Sequence, residues 1–358
     1  MLKDIHQWLP SYISGKFRRR SPKHPLKILF AMADHFEPMQ KPSDPLTVQS
    51  DRVRKWIERF ETRFSDHRDS QDRPPLHTYF YPQEQYSPEI MEMLAEHCLR
   101  GFGEVEIHIH HDNDTPEKFR EKILKFKEQL ASHGLLCRDS GEIKYGFVHG
   151  NWALDNSRKD GRWCGLNNEI TLLKETGCYA DFTLPCAPAD GQTRKINSIY
   201  FADDDPEKPK SHDRGRDLVF GECGGGDLLM IQGPLALFRR RGRLLPGIEN
   251  GDVSSGNPVT AERIRIWINQ RISVRGREDV IFIKVHCHGM KPRNMEYMLE
   301  DGLEKGLGIL ESDFNDGVEF ELHYVTAREM TNVALAFNRG KEGSISELRN
   351  YRLKWPAR

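Results

Sequence analysis

No stretch of about 18 consecutive apolar residues occurs in this chain of 358 residues, so the sequence offers no transmembrane helix. Met1 to Arg20 also lacks the apolar core of a secretory signal. An excess of one charge is missing too: Lys and Arg number 53, Asp and Glu 54, for a formal net charge of −1. That balance creates no global field to draw in nucleic acid or an anionic membrane. The seven cysteines (Cys98, Cys137, Cys164, Cys178, Cys186, Cys223 and Cys287) never form a CxxC pair, which removes dithiol redox motifs and thiolate zinc fingers. An odd count without a pattern suits a reducing compartment, and a cytoplasmic location is the expectation. Gly224-Gly225-Gly226 lacks the Lys-Ser/Thr of a phosphate loop and reads as a turn. The chain shows no internal repeat and no low-complexity segment.

What it does have is a series of apolar strands that end in polar side chains. Pro25 to Ala33 is a near-continuous apolar run, as a parallel strand buried on both faces requires, and Asp34-His35-Phe36-Glu37-Pro38 closes it. Leu76 to Tyr81 ends in Pro82-Gln83-Glu84-Gln85-Tyr86. From Val105 to Asp114 the period of two sets Val105, Ile107 and Ile109 on one face and Glu106, His108 and His110 on the other. His111, Asp112 and Asp114 follow where that strand should end. Ile143 to Val148 ends in His149-Gly150-Asn151-Trp152. Val280 to Gly289 repeats the alternation, with Ile281, Ile283, Val285 and Cys287 opposite Lys284, His286 and His288. Val318 to Val325 reads as the last strand. Helical patterns separate these runs, the one after Asp114 opened by the Thr115-Pro116 cap. Residues 186–216 carry no regular pattern and read as a charged surface excursion.

Strands alternating with helices predict an α/β fold with a parallel sheet. Seven or so such units predict a distorted (β/α)7–8 barrel over 25–345, with a doubly wound open sheet as the alternative. Residues 1–24 read as a basic N-terminal arm and 346–358 as a C-terminal tail. The cluster Lys16-Phe17-Arg18-Arg19-Arg20, behind Trp8, Leu9, Tyr12 and Ile13, allows at most a weak peripheral contact with a membrane.

In a parallel barrel the C-terminal strand ends converge on one face, where active sites are built. Asp34-His35, Gln83-Glu84, His110-His111-Asp112, His149 and His286/His288 all fall at such ends. Of the fifteen histidines, His35, His108, His110, His111, His286 and His288 lie in three short clusters. Neutral imidazoles with carboxylates suit zinc or a neighbouring divalent ion with an open position. A histidine from another strand is then placed to protonate a leaving group. Alternation sends His108 and His110 to one side, whereas His111 depends on how the strand ends. Glu84, His149, Asn151 and Trp152 are candidate substrate contacts, with Trp163 as a second ring able to stack on a sugar.

The order of these motifs resembles the polysaccharide deacetylase (NodB-like) superfamily of divalent-metal hydrolases. Ala33-Asp34-His35-Phe36-Glu37 stands where that family has Thr-Phe-Asp-Asp-Gly, and His77-Thr78-Tyr79-Phe80-Tyr81 is similar to its Ala-Thr-Phe-Phe strand. His108-Ile109-His110-His111 occupies the place of its His-Ser/Thr-x-x-His motif, and Val285-His286-Cys287-His288 is loosely similar to its Leu-x-His. The Arg-x-Pro segment is replaced by His149-Gly150-Asn151-Trp152. The resemblance spans roughly residues 26–290. It implies Asp34 as catalytic base, a metal held from among Asp34, His35, His108, His110 and His111, and His286 or His288 as general acid. The substrate implied is an N-acetylated saccharide, in surface polysaccharide metabolism. Two other readings compete: a glycoside hydrolase pairing Asp34 with Asp112 or Asp114, and a non-catalytic saccharide-binding protein with a decayed site.

Overall fold

A computed structural model of the chain describes residues 4–18, 24–239 and 245–355. Its strands are β1 Leu26–His35, β2 His77–Pro82, β3 Gly103–Ile109, β4 Cys137–Asp139, β5 Glu142–His149, β6 Cys178–Asp181, β7 Ile199–Ala202, β8 Arg216–Asp217, β9 Leu228–Ile231, β10 Ala236–Phe238, β11 Gly247–Glu249, β12 Val280–Cys287 and β13 Phe320–Tyr324. Its helices are α1 Leu9–Arg18, α2 Leu46–Phe64, α3 Pro88–Leu99, α4 Pro116–Ser132, α5 Glu169–Thr176, α6 Ala261–Ile268, α7 Pro292–Leu299, α8 Asp301–Asp313, α9 Ala327–Asn338 and α10 Ile345–Leu348.

The large sheet runs β12-β1-β2-β3-β5-β6-β9-β7-β8, parallel as far as β9 and antiparallel at β7 and β8. β13 pairs with the first half of β1 and β2 with its end. The mixed α/β fold read from the sequence is present, but the sheet does not close. Among the described residues no ladder joins β9 to β12, because other backbone has taken the free edge of β12. His286 N–H donates to Gly251 O, Val253 N–H to His286 O and Phe282 N–H to Ile272 O. Across the gap the buried Lys284 ammonium donates to Phe182 O and Leu184 O, both at 2.7 Å.

The sheet curls around α9. Leu29, Ala31, Ala33, Phe80, Val148 and Phe282 from its inner face pack with Met330, Val333 and Phe337 of that helix. Eleven of the twelve α9 residues are buried, so it is a central helix rather than a surface one. The outer face packs on the surrounding helices through Ile28, Phe30, Ile107 and Ile283, among others.

Both termini depart from the sequence reading. Trp8 and Tyr12 are buried against Ala187, Ile196 and Leu235, so these two rings, offered to a membrane surface, face the protein. Arg19 and Arg20 lie outside the described residues. At the other end Leu348 and Leu353 are buried, and Lys354 bridges to Arg138, so the segment to 355 is packed rather than a tail. No described helix is long and apolar enough to cross a membrane.

Several buried histidines outside the set of site candidates impose an acid limit. Burial lowers His212 and His323 to about 4, and it lowers His97 to about 4 despite the hydrogen bond to Glu61. The unfolded chain takes up these protons near the ordinary value of about 6.5, and the folded chain does so only near 4. Stability is therefore lost as pH falls between those values, by about 3 kcal/mol per ring at most. The urea midpoint is expected to fall markedly between pH 7 and pH 4.5; an unchanged midpoint would refute this account.

Candidate metal centre

Strand alternation delivers the inner-face residues to one mouth. The inward series Leu29, Ala31, Ala33 continues to His35 at the end of β1. Phe36 turns outward between Trp56 and Tyr79, which returns Glu37 to the His35 side. On β3 the series Glu104, Glu106, His108 leads to His110 just beyond the strand, and on β12 Phe282, Lys284 and His286 lead to His288.

The rings meet closely. His35 stacks on His288 with centroids 4.5 Å apart and stands edge-on to His108 at 4.7 Å and to Trp152 at 5.7 Å. Glu37 Oε1 lies 3.4 Å from His108 Nε2 and 3.7 Å from His110 Nε2. His35, Glu37 and His108 each bring one ligand atom within 4.8 Å of the others. His35 Nδ1, both ring nitrogens of His108, His286 Nδ1 and Trp152 Nε1 are buried without a hydrogen-bond partner among the described residues. Such atoms carry a full desolvation penalty that native interiors rarely tolerate. A cation held by two imidazoles and a carboxylate relieves it, and that donor set suits a divalent ion with open positions.

Protonation favours the same reading. Burial, followed by the neighbouring rings of His288 and His108, pushes His35 well below its usual value. His108 is lowered by burial, against the pull of Glu37. Burial pushes Glu37 up, but its His108 contact and the other rings outweigh this and hold it at about 2. At neutral pH the trio is two neutral imidazoles and a carboxylate, the ligating forms of each. His110 differs. Burial lowers it, but its 2.5 Å hydrogen bond to Glu84 and the charges of Glu84 and Glu37 leave it raised. Glu84 therefore holds a ring at the rim, and His110 flanks the trio.

His286 opens on a cavity of about 250 Å³ lined by Trp152, Asn250, Asp252 and Asn257. Asp252 accepts from Ser254 Oγ at 2.8 Å and from Asn257 Nδ2 at 2.6 Å. Burial first, then the Lys284 charge, lowers His286 to about 3, while Asp252 acts in the opposite sense.

The other sequence candidates stand on the helix side of the sheet. Asp34 alternates away from His35: Oδ1 accepts from Gly289 N–H at 2.7 Å and Oδ2 lies 2.9 Å from His77 Nε2. It shares a buried group with His77 and Cys287 and does not join the mouth. His111 lies 3.1 Å from Glu169 Oε1, with its ring 4.6 Å from that of His149. His149 Nδ1 accepts from the backbone N–H of Asn151 at 3.2 Å, and His149 belongs to this second cluster. The carboxylates considered for a glycosidase pair are engaged separately: Asp112 accepts from Trp163 N–H at 2.6 Å and Asp114 from Lys122 Nζ at 2.6 Å. Sequence reasoning missed Glu37, which the period of two from His35 would have found. It also missed Asp252, which no pattern marks.

No family model matches the chain, and no curated protein matches it.

Proposed function

We propose that this chain is a divalent-metal hydrolase of the polysaccharide-deacetylase type, on a distorted barrel left open between β9 and β12. It would use zinc to remove an acetyl group from an N-acetylated saccharide. The observation that carries the reading is the convergence of His35, Glu37 and His108 with buried ring nitrogens that have no partner. A divalent ion held there would polarise an acyl carbonyl and make water nucleophilic near neutral pH.

The chain's own residues supply the rest. His288 stacks on His35 and holds its ring in place, and the Glu84–His110 pair borders the site. His286, neutral at working pH, is the group that would take the proton given up by the attacking water and pass it to the departing amine nitrogen, with Asp252 beside it as the balancing charge while it is protonated. Trp152 offers an apolar ring face, and Asn250 and Asn257 offer amides, a combination that suits a sugar with its hydroxyl and acetamido groups. The products are acetate and a free amine. This reading is favoured over a glycosidase because Asp34, Asp112 and Asp114 are bonded elsewhere.

The test is acetate release from an N-acetylated oligosaccharide by the purified chain. Chelation is expected to stop it and added zinc to restore it. Unchanged turnover by thoroughly metal-free protein would sink the proposal.

A further inference from the structure

We propose a second metal site, separate from the mouth and structural in role, with His111, Cys164 and Glu169 as its ligands. It lies on the helix side of the sheet where β3, β5 and α5 meet. His111, His149, Cys164 and Glu169 each bring a ligand atom within 4.8 Å of the others, and all four residues are buried.

The spacing is within a few tenths of an ångström of a coordination shell's. His111 Nε2 lies 3.1 Å from Glu169 Oε1, and Cys164 Sγ lies 3.3 Å from Glu169 Oε2. Bonds of about 2.0–2.3 Å arranged tetrahedrally put ligand atoms about 3.3–3.7 Å apart. The surroundings match those of ligating groups. Cys164 Sγ accepts backbone N–H bonds from Asn156 at 3.2 Å and Leu166 at 3.4 Å, which favour a thiolate against the larger opposing effects of burial and of Glu169, effects that a bound cation would offset. Asp114 Oδ2 stands 3.5 Å from His111 Nδ1, on the far side of the ring from Glu169, in the position from which a carboxylate orients a ligating histidine. Asp155 N–H donates to Glu169 Oε2 at 2.6 Å. A thiolate and a carboxylate around a divalent ion also leave the buried site neutral.

His149 has a different task. Its Nδ1 accepts from Asn151 and Ala153 amides at 3.2 and 3.4 Å, so the neutral ring carries its proton on Nε2. That atom is buried without a hydrogen-bond partner, 3.9 Å from Glu169 Oε1, and the proton it carries keeps it out of the ligand set. Mixed nitrogen, sulfur and oxygen ligation favours zinc or cobalt over magnesium or calcium. The ion would tie the 150–168 segment to the sheet, and that segment carries Trp152 to the rings of His35, His286 and His288.

The thiolate makes the site separable from the mouth, whose trio contains no cysteine. Protein produced in cobalt-supplemented medium is expected to show the near-ultraviolet thiolate-to-cobalt charge-transfer band. The band should survive in the His35→Ala/His108→Ala, His149→Gln and Cys287→Ser variants and disappear in Cys164→Ser. A cobalt-loaded native chain without the band overturns the proposal, as does a band removed by Cys287→Ser. The native and Cys287→Ser spectra decide the question even where Cys164→Ser does not fold. Acetate release plays no part in the readout, so failure of the hydrolase reading leaves this result unaffected.

Discussion

His108→Ala is expected to cost the mouth its ion and to lower acetate release by about 10³-fold, with the fold intact. The size follows from what a Lewis acid contributes, several kcal/mol of transition-state stabilisation, at 1.36 kcal/mol per decade of rate. The intact fold follows from the bonding. Neither ring nitrogen of His108 makes a hydrogen bond of normal length, so truncation removes the 3.4 Å contact with Glu37 Oε1 rather than a bonded network. Metal content and turnover should fall together, while the urea midpoint drops only by what the cavity left by the buried ring and the lost ion cost. His35→Ala should behave alike, since His35 Nδ1 has no partner either. Asp34→Asn provides the contrast. Asp34 holds Gly289 N–H and His77 on the other face of β1, so its loss should lower stability and leave metal content at the mouth unchanged. A His108→Ala protein that keeps its metal and its turnover would remove the mouth from the chemistry.

That contrast shows what was legible in the sequence. Alternation along β3 and β12 separated the apolar and polar faces as they stand, because a strand buried on both sides still obeys a period of two. The same rule applied to Leu29, Ala31, Ala33 and His35 separates Asp34 from His35. Grouping residues by their position at a strand end, without their face, merged two sites into one. His111 and His149 were drawn to the mouth for the same reason, although both turn to the helix side. The open edge was not legible. It depends on β7, which returns antiparallel from a segment that showed no periodicity, and on the 251–253 backbone that bonds to His286. Nor was the central place of α9, since Arg328, Glu329 and Asn332 look like surface residues until their partners are known.

Those polar residues of α9 carry the other large effect. Arg328 Nη2 donates to Glu104 Oε1 at 2.6 Å, and its Nε lies 3.0 Å from both carboxylate oxygens. Arg328 Nη1 donates to Leu353 O at 2.8 Å, and Thr326 Oγ1 to Glu104 Oε2 at 2.9 Å. Burial pushes the Glu104 carboxyl up against the opposing pull of Arg328, so the pair persists only while both members are present. Glu104→Gln leaves a guanidinium, 3% exposed, with only the more distant Glu329 carboxylate at 3.9 Å as counter-ion, and Arg328→Met strands the Glu104 carboxylate. Each is expected to cost about 3–5 kcal/mol, the usual penalty for an uncompensated buried charge. The double variant Glu104→Gln/Arg328→Met should recover much of that loss, since neither charge then remains buried alone. Urea denaturation followed by circular dichroism measures all three. The transition should move as a whole, because α9 is packed inside the curled sheet and Arg328 also anchors the segment around Leu353. Single variants within about 1 kcal/mol of the native chain would mean that apolar packing of Met330, Val333 and Phe337 holds the helix without the ion pair.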